Sequence, residues 1–144
     1  MKVQQILKDK PSEGIVSVAP TDSVKAAAEL LSAHRIGCVV VSSDGAALDG
    51  ILSERDIVRE LGRVGEACLS QEVSSLMTAK VVGCAPSDTT DEILQKMTDG
   101  RFRHMPVLDD GNMLGLISIG DVVKARLSEL SMEKDALEGM IMGH

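Results

Sequence analysis

Two segments of this chain carry the residue types that could do chemistry, and they are near copies of each other. GILSERDIV runs from Gly50 to Val58, and GLISIGDVV from Gly115 to Val123. Each reads glycine, two aliphatic residues, serine, two variable residues, aspartate and two more aliphatics. Ser-x-x-Asp is first a helix-capping signature, in which serine accepts a backbone N–H and the acid three residues on reaches back. Thr89-Thr90-Asp91-Glu92 is a further box of this kind, so the pattern alone is satisfied by capping. The same geometry also suits a ribose phosphate. A helix start offers free N–H groups and partial positive charge to a phosphate. A serine hydroxyl adds a donor, and an aspartate supplies two acceptors for a pair of ribose hydroxyls. Ile51, Leu52, Leu116 and Ile117 would hold a base by apolar contact.

Other chemistries find no residues to run on. The chain has no G-x-S-x-G, no H-E-x-x-H and no Gly-Lys-Ser/Thr of a P-loop, and no base neighbours either serine to activate it. The expectation is a protein that is not an enzyme. Cys38, Cys68 and Cys84 are odd in number and contain no C-x-x-C pair, which reads as buried free thiols rather than a disulfide framework or a metal site. A net charge of −7 lacks the basic face a nucleic-acid binder needs. Phe102 is the single aromatic residue, so there is no stacking platform for single strands. A flat ligand must then be held by aliphatic side chains and backbone. Apolar runs such as Cys38 to Val41 are too short to cross a bilayer, and MKVQQILKDKPSEG has no run of signal-peptide length. These features predict a cytoplasmic protein that binds neither membrane nor nucleic acid.

The elements that must position the two motifs also come in duplicate. Pro20 matches Pro86, Asp22 matches Asp88, and the Asp44-Gly45 turn matches Asp110-Gly111, all at one constant interval. In the first repeat, Ile15 to Val18 reads as a strand, SVKAAAELLSAH as a helix and IGCVVVS as a buried strand. LDGILS reads as a further strand, and Ser53 caps a helix from Glu54 to about Leu61. The second repeat copies this as strand Val81 to Ala85, helix Thr90 to Thr98, strands His104 to Leu108 and Leu114 to Ser118, and a helix from Ile119 to about Leu130. Val73, Leu76 and Met77 echo Val3, Ile6 and Leu7. The fold class is α+β: two pseudo-symmetric β-α-β-β-α repeats packed through their sheets, since a repeat of this size buries little alone. Residues 1–66 form the first repeat with its N-terminal segment, residues 67–130 the linker and second repeat, and residues 131–144 a helical, Met-rich tail.

The two motifs, preceded by HRIGCVVV and FRHMPVLDDGNMLG, resemble CBS domains, and their tandem resembles a CBS pair, the Bateman module, as found in small stand-alone proteins. The resemblance covers about Val3 to Leu130. It implies a regulatory module that binds an adenosyl ligand: AMP first, with NAD(H), ADP, ATP or S-adenosylmethionine as others. The family's ribose-binding acid falls on Asp121 at one site and on Asp56 at the other, with the preceding hydroxyl on Ser118 and Ser53. Adenine is usually read by backbone of the opposite repeat, which implies Val16, Gly37 and Cys38 for Asp121, and Val82, Arg103 and His104 for Asp56. The two sites differ. Arg55 could reach a phosphate but Glu54 opposes it, whereas Gly120 opens the backbone and Arg103 is suited to phosphate oxygens. The Asp121 site is therefore expected to bind better. The resemblance also implies a homodimer and a regulated protein target. The alternative is a dimerising scaffold with vestigial sites, in which Ser-x-x-Asp only caps helices.

Overall fold

The computed structural model describes residues 1–10 and 15–142. In chain order the elements are α1 (Val3–Asp9), β1 (Ser17–Val18), α2 (Val24–His34), β2 (Cys38–Val41), β3 (Gly50–Ser53), α3 (Glu54–Val64), a 3₁₀ segment (Gly65–Ser70), α4 (Val73–Leu76), α5 (Thr90–Gly100), β4 (His104–Asp109), β5 (Asn112–Ser118) and α6 (Ile119–Ile141). They fall into two units. One holds Glu13–Val82 with Asp110–Met113; the other holds Met1–Ser12, Gly83–Asp109 and Leu114–His144.

In the first of these, β2 is central. All four of its side chains are buried, as an uninterrupted apolar run requires. It pairs in parallel with β1, Ser17 opposite Val40, and antiparallel with β3, Cys38 opposite Ser53. Val24, Ala27 and Leu31 of α2 and Ile57 of α3 close a core over Val39, Val41 and Leu52. β4 and most of β5 lie in the other unit, and the two strands form a hairpin. Its turn residues Asp110 and Gly111 both have positive φ, 53° and 81°, the geometry that an Asp-Gly turn favours. Its core joins Ile93 and Met97 of α5 to Met105, Val107, Ile117 and Val122.

The N-terminal segment stands at the head of the first repeat in sequence but packs in the second-repeat unit. Val3 and Ile6 of α1 are part of the core around Ile93 and Met105. The Val3 N–H donates to Asp88 O at 2.9 Å and the Gln4 N–H to Pro86 O at 3.0 Å. α4 does the same in the first-repeat unit: the Val73 N–H donates to Asp22 O at 2.8 Å and the Ser74 N–H to Pro20 O at 3.0 Å. The echo of Val3 in Val73 is thus a repeated docking contact.

Two expected elements differ. Val81 to Ala85 does not form a strand; only Cys84 pairs, as an isolated bridge to Val107. The Cys84 N–H reaches Pro106 O at 3.0 Å, and the Leu108 N–H reaches Cys84 O at 2.8 Å. In the first repeat the Val40 N–H continues the ladder to Val16 O at 3.1 Å. Pro106 stands where the repeat would place Val40, and with no N–H it cannot donate that bond. The helix expected to stop near Leu130 instead runs unbroken to Ile141 as α6, 23 residues in all. Between Gly120 in its first turn and Gly139 in its last, it contains no proline or glycine, so the tail is an extension of the helix that begins at the second motif. Gly143 and His144 of the expected tail lie outside the described residues.

Candidate ligand-binding site

Both Ser-x-x-Asp motifs are strand-to-helix corners. β3 ends at Ser53 and α3 begins at once; β5 ends at Ser118 and α6 begins at once. Each corner is a closed capping box. Ser53 Oγ accepts the Asp56 N–H at 3.2 Å, and the Ser53 N–H donates to Asp56 Oδ2 at 3.0 Å. Ser118 Oγ accepts the Asp121 N–H at 3.1 Å, and the Ser118 N–H donates to Asp121 Oδ2 at 2.9 Å. The first helical N–H of each is taken by the residue that precedes the facing strand. Glu54 donates to Gly37 O at 2.9 Å and Ile119 to Arg103 O at 2.8 Å. Helix, loop and strand are therefore locked together in the same way twice.

The glycine that opens each motif makes room for the docked helix. A β-carbon on Gly50 would lie 2.7 Å from Thr78 O and 2.9 Å from Met77 Sδ. One on Gly115 would lie 2.8 Å from Leu7 Cδ2. The contact of α1 or α4 with its unit therefore passes over the first residue of the motif.

At Asp121 the structure adds a residue that the sequence reading did not single out. Lys10, just after α1, places its ammonium 2.9 Å from Asp121 Oδ2 and donates to Leu116 O at 2.7 Å. Burial alone would raise the Asp121 pKa. The Ser118 backbone N–H, the hydrogen bond and charge of Lys10, and the Ser118 side chain outweigh burial and hold the carboxyl below its ordinary value. Asp121 is thus a carboxylate at neutral pH, half-buried and held at a helix start. Gly120 beside it is exposed, and a β-carbon there would meet only Ser118 Oγ, at 3.6 Å. Its N–H, at the second helical position, has no intrahelical acceptor.

The unit that contains Asp121 also contains Ser118, Gly120, Arg103 and His104. Arg103 is exposed, and His104 is half-buried at the start of β4. The unit that contains Asp56 also contains Ser53, Arg55, Val16, Gly37, Cys38 and Val82. Arg55 and Val82 are exposed, Val16 and Gly37 are half-buried, and Cys38 is buried. Asp56 meets Arg59 of its own helix at 3.5 Å. Burial, with the Asp56 charge adding to it, pushes the Cys38 thiol up to about 12 despite a hydrogen bond from the Leu52 backbone. In sequence, Lys80 stands to Val73 as Lys10 stands to Val3. That parallel is the one trace of Lys10 that the repeat pattern carries, and it marks the position without announcing the contact.

Among the described residues no group of three or more His, Cys, Asp or Glu side chains could hold a metal ion. No helix among them is long and apolar enough to cross a membrane.

Two duplicated corners, each an aspartate locked by serine at a helix start beneath a docked helix, define a protein built of two paired repeats of one kind. The chain belongs to the CBS domain family, which matches residues 3–63 and 73–128. It is 37 % identical over 126 residues to a mitochondrial CBS domain-containing protein of Arabidopsis thaliana, which covers 85 % of this chain and 61 % of that protein. The chain thus spans about three fifths of that relative's length. The crystal structure of a CBS-domain-containing protein from Agrobacterium tumefaciens matches with a TM-score of 0.83 and 46 % identity, over 88 % of this chain and 99 % of that one. A CBS domain protein from Pyrobaculum aerophilum, crystallised with AMP, shares the fold with a TM-score of 0.76 at 22 % identity, over 92 % of this chain and 99 % of that one.

Proposed function

We propose that this chain is a non-enzymatic regulatory module that binds an adenine nucleotide, AMP before NAD(H), ADP, ATP or S-adenosylmethionine, at the Asp121 corner. The observation that carries this reading is Asp121 itself. It is a carboxylate kept ionised beside an exposed glycine backbone at a helix start, the pairing of acceptor and donor that a ribose phosphate requires. Membership of the CBS family and the AMP bound to the Pyrobaculum protein support the ligand class. Arg103, exposed in the same unit, supplies a cation for phosphate. The Asp56 corner is the weaker site, since Glu54 opposes a phosphate there while Gly120 leaves the backbone open at the Asp121 corner. We further propose a homodimer through the exposed apolar face of α6 and a regulated protein partner that prefers one ligand state, since a ligand shifts a population only by differential affinity.

A second reading has its own observation. Both capping boxes are closed, so the motifs are structurally satisfied without ligand, as a scaffold would have them. Thermal melting of ligand-stripped protein against a panel of millimolar AMP, ADP, ATP, NAD, NADH and S-adenosylmethionine separates the two. A ligand at a hundred times its Kd stabilises by about 2.7 kcal/mol, several degrees in Tm. A shift that is abolished by Asp121→Ala supports the sensor. No shift with any member of the panel leaves the scaffold.

A further inference from the structure

We propose that Lys10 sets the preference of the Asp121 corner for phosphorylated adenosyl ligands over unphosphorylated ones, by exchanging its ion pair with Asp121 for one with the ligand's phosphate. The inference rests on the nucleotide reading above and concerns what that site selects. Lys10 is held close by the fold. Its own N–H donates to Ile6 O at 3.1 Å, closing α1. Ile6 is buried in the core of the same unit, and Leu7 packs over Gly115. The backbone is thereby anchored, and the side chain crosses to Asp121 on a flexible stem with 37 % of its surface exposed.

The Asp121 carboxylate is already engaged on Oδ2, by the Ser118 N–H at 2.9 Å and by the Lys10 ammonium at 2.9 Å. When two ribose hydroxyls donate to the two oxygens of this carboxylate, the one that takes Oδ2 competes with Lys10. An uncharged nucleoside that wins the competition leaves the ammonium with the Leu116 carbonyl, its other partner at 2.7 Å, and solvent, in place of its charge partner. That is an unfavourable exchange for a partly buried cation. A phosphate monoester brings two negative charges and three acceptor oxygens on the same molecule. The displaced ammonium turns to them, and the exchange becomes favourable. Lys10 thus opposes a bare nucleoside and favours its phosphate. At the Asp56 corner the acid faces Arg59 of its own helix instead.

The test is titration calorimetry with AMP and with adenosine on ligand-stripped wild type, Lys10→Met, Lys10→Gln and Asp121→Ala, each checked by circular dichroism to be fully folded at the temperature of the titration. In wild type AMP should bind more tightly than adenosine, and Asp121→Ala should weaken both. Either lysine variant should bind AMP more weakly and adenosine as well or better, so that the preference falls about tenfold. Lysine variants that change both affinities by the same factor, or neither, overturn the role of Lys10. If wild type binds neither ligand, or if Asp121→Ala binds like wild type, the nucleotide reading of this corner is the one that fails.

Discussion

Arg35 and Arg101 hold the same backbone position in the two repeats, each directly after an α-helix and each left-handed, with φ of 53° and 56°. The Arg35 N–H donates back to Leu31 O and Ser32 O, and the Arg101 N–H to Met97 O, the αL helix stop usually made by glycine. A β-carbon in that conformation costs about 1 kcal/mol. Replacing either arginine by glycine should therefore stabilise the fold by about 0.5 kcal/mol, once glycine's greater freedom in the unfolded chain is set against the relief. Urea midpoints measure this. A lower midpoint would mean that the arginine side chain contributes more than its backbone gives up.

The two motif glycines should respond unequally to alanine. At Gly50 the added carbon meets the Thr78 carbonyl oxygen at 2.7 Å, a backbone atom that cannot step aside. At Gly115 it meets the tip of Leu7 at 2.8 Å, and that side chain can turn. Gly50→Ala should cost about 2–3 kcal/mol and Gly115→Ala about 1 kcal/mol. Chemical denaturation gives both values, and the reverse order would mean that the backbone at Thr78 yields more readily than Leu7.

Much of this architecture was legible because the sequence states it twice. Cys38–Val41 reads as a buried strand from its β-branched run, and three helices read from Ser53, Thr89 and Ser118 as caps, all three of which accept the expected N–H. Other features depend on which elements meet. Pro106 breaks the second repeat's ladder only because it falls where Val40 donates in the first. Lys10 reaches Asp121, near the other end of the chain, because α1 docks in the unit of the second repeat. No local pattern around Lys10 announces that contact; only its alignment with Lys80 in the repeat hints at it.

Asp121 should also leave a mark on acid stability. Its folded-state pKa lies below the usual value because the Ser118 N–H and Lys10 together outweigh burial. A depressed carboxyl stabilises the fold above its unfolded pKa of about 3.9, and that contribution is lost as pH falls through the lower folded value. Asp121→Asn should thus melt below wild type at pH 7, by an amount near the capping range of about 1 kcal/mol. The two melting curves should draw together as pH falls from the unfolded value toward the lower folded one, and meet only below it. A constant gap down to that pH would mean that shape, rather than charge, is what the asparagine lacks.

The cysteines bear on any redox role. Burial, helped by Asp56, pushes the Cys38 thiol up to about 12. Burial and the Asp88 charge push Cys84 up to about 11 against the pull of Lys96. At pH 8 each is a thiolate to no more than about one part in a thousand. Native protein should resist iodoacetamide over hours, as followed by intact mass, and should take up a label on each of Cys38, Cys68 and Cys84 after denaturation. Rapid native labelling of Cys38 would mean that its thiol is reachable and reactive in the folded protein, as a redox role requires.

The face of α6 that the fold leaves uncovered has the period of a coiled coil. Val123, Leu127, Leu130, Leu137 and Ile141 are all exposed, Leu127 by 62 % and Ile141 by 84 %. Their spacings of four, three, seven and four place them on the two seam positions of a heptad, with Lys134 filling the vacant one. Charge then selects the direction of pairing with a second copy. A parallel pair would set Lys134 against Lys134 and Glu133 beside Glu138 across the seam. An antiparallel pair with Leu127 facing Leu130 sets Arg126 across from Glu133, on both sides of the two-fold axis. Each leucine is buried twice in such a dimer, at about 1.5–3 kcal/mol each time. Leu127→Glu and Leu130→Glu should therefore each raise the dimer dissociation constant at least about a hundredfold, measured by light scattering across a dilution series. A wild type that is monomeric at every concentration, or a dimer that survives both substitutions together, would show that this face meets something other than its own copy.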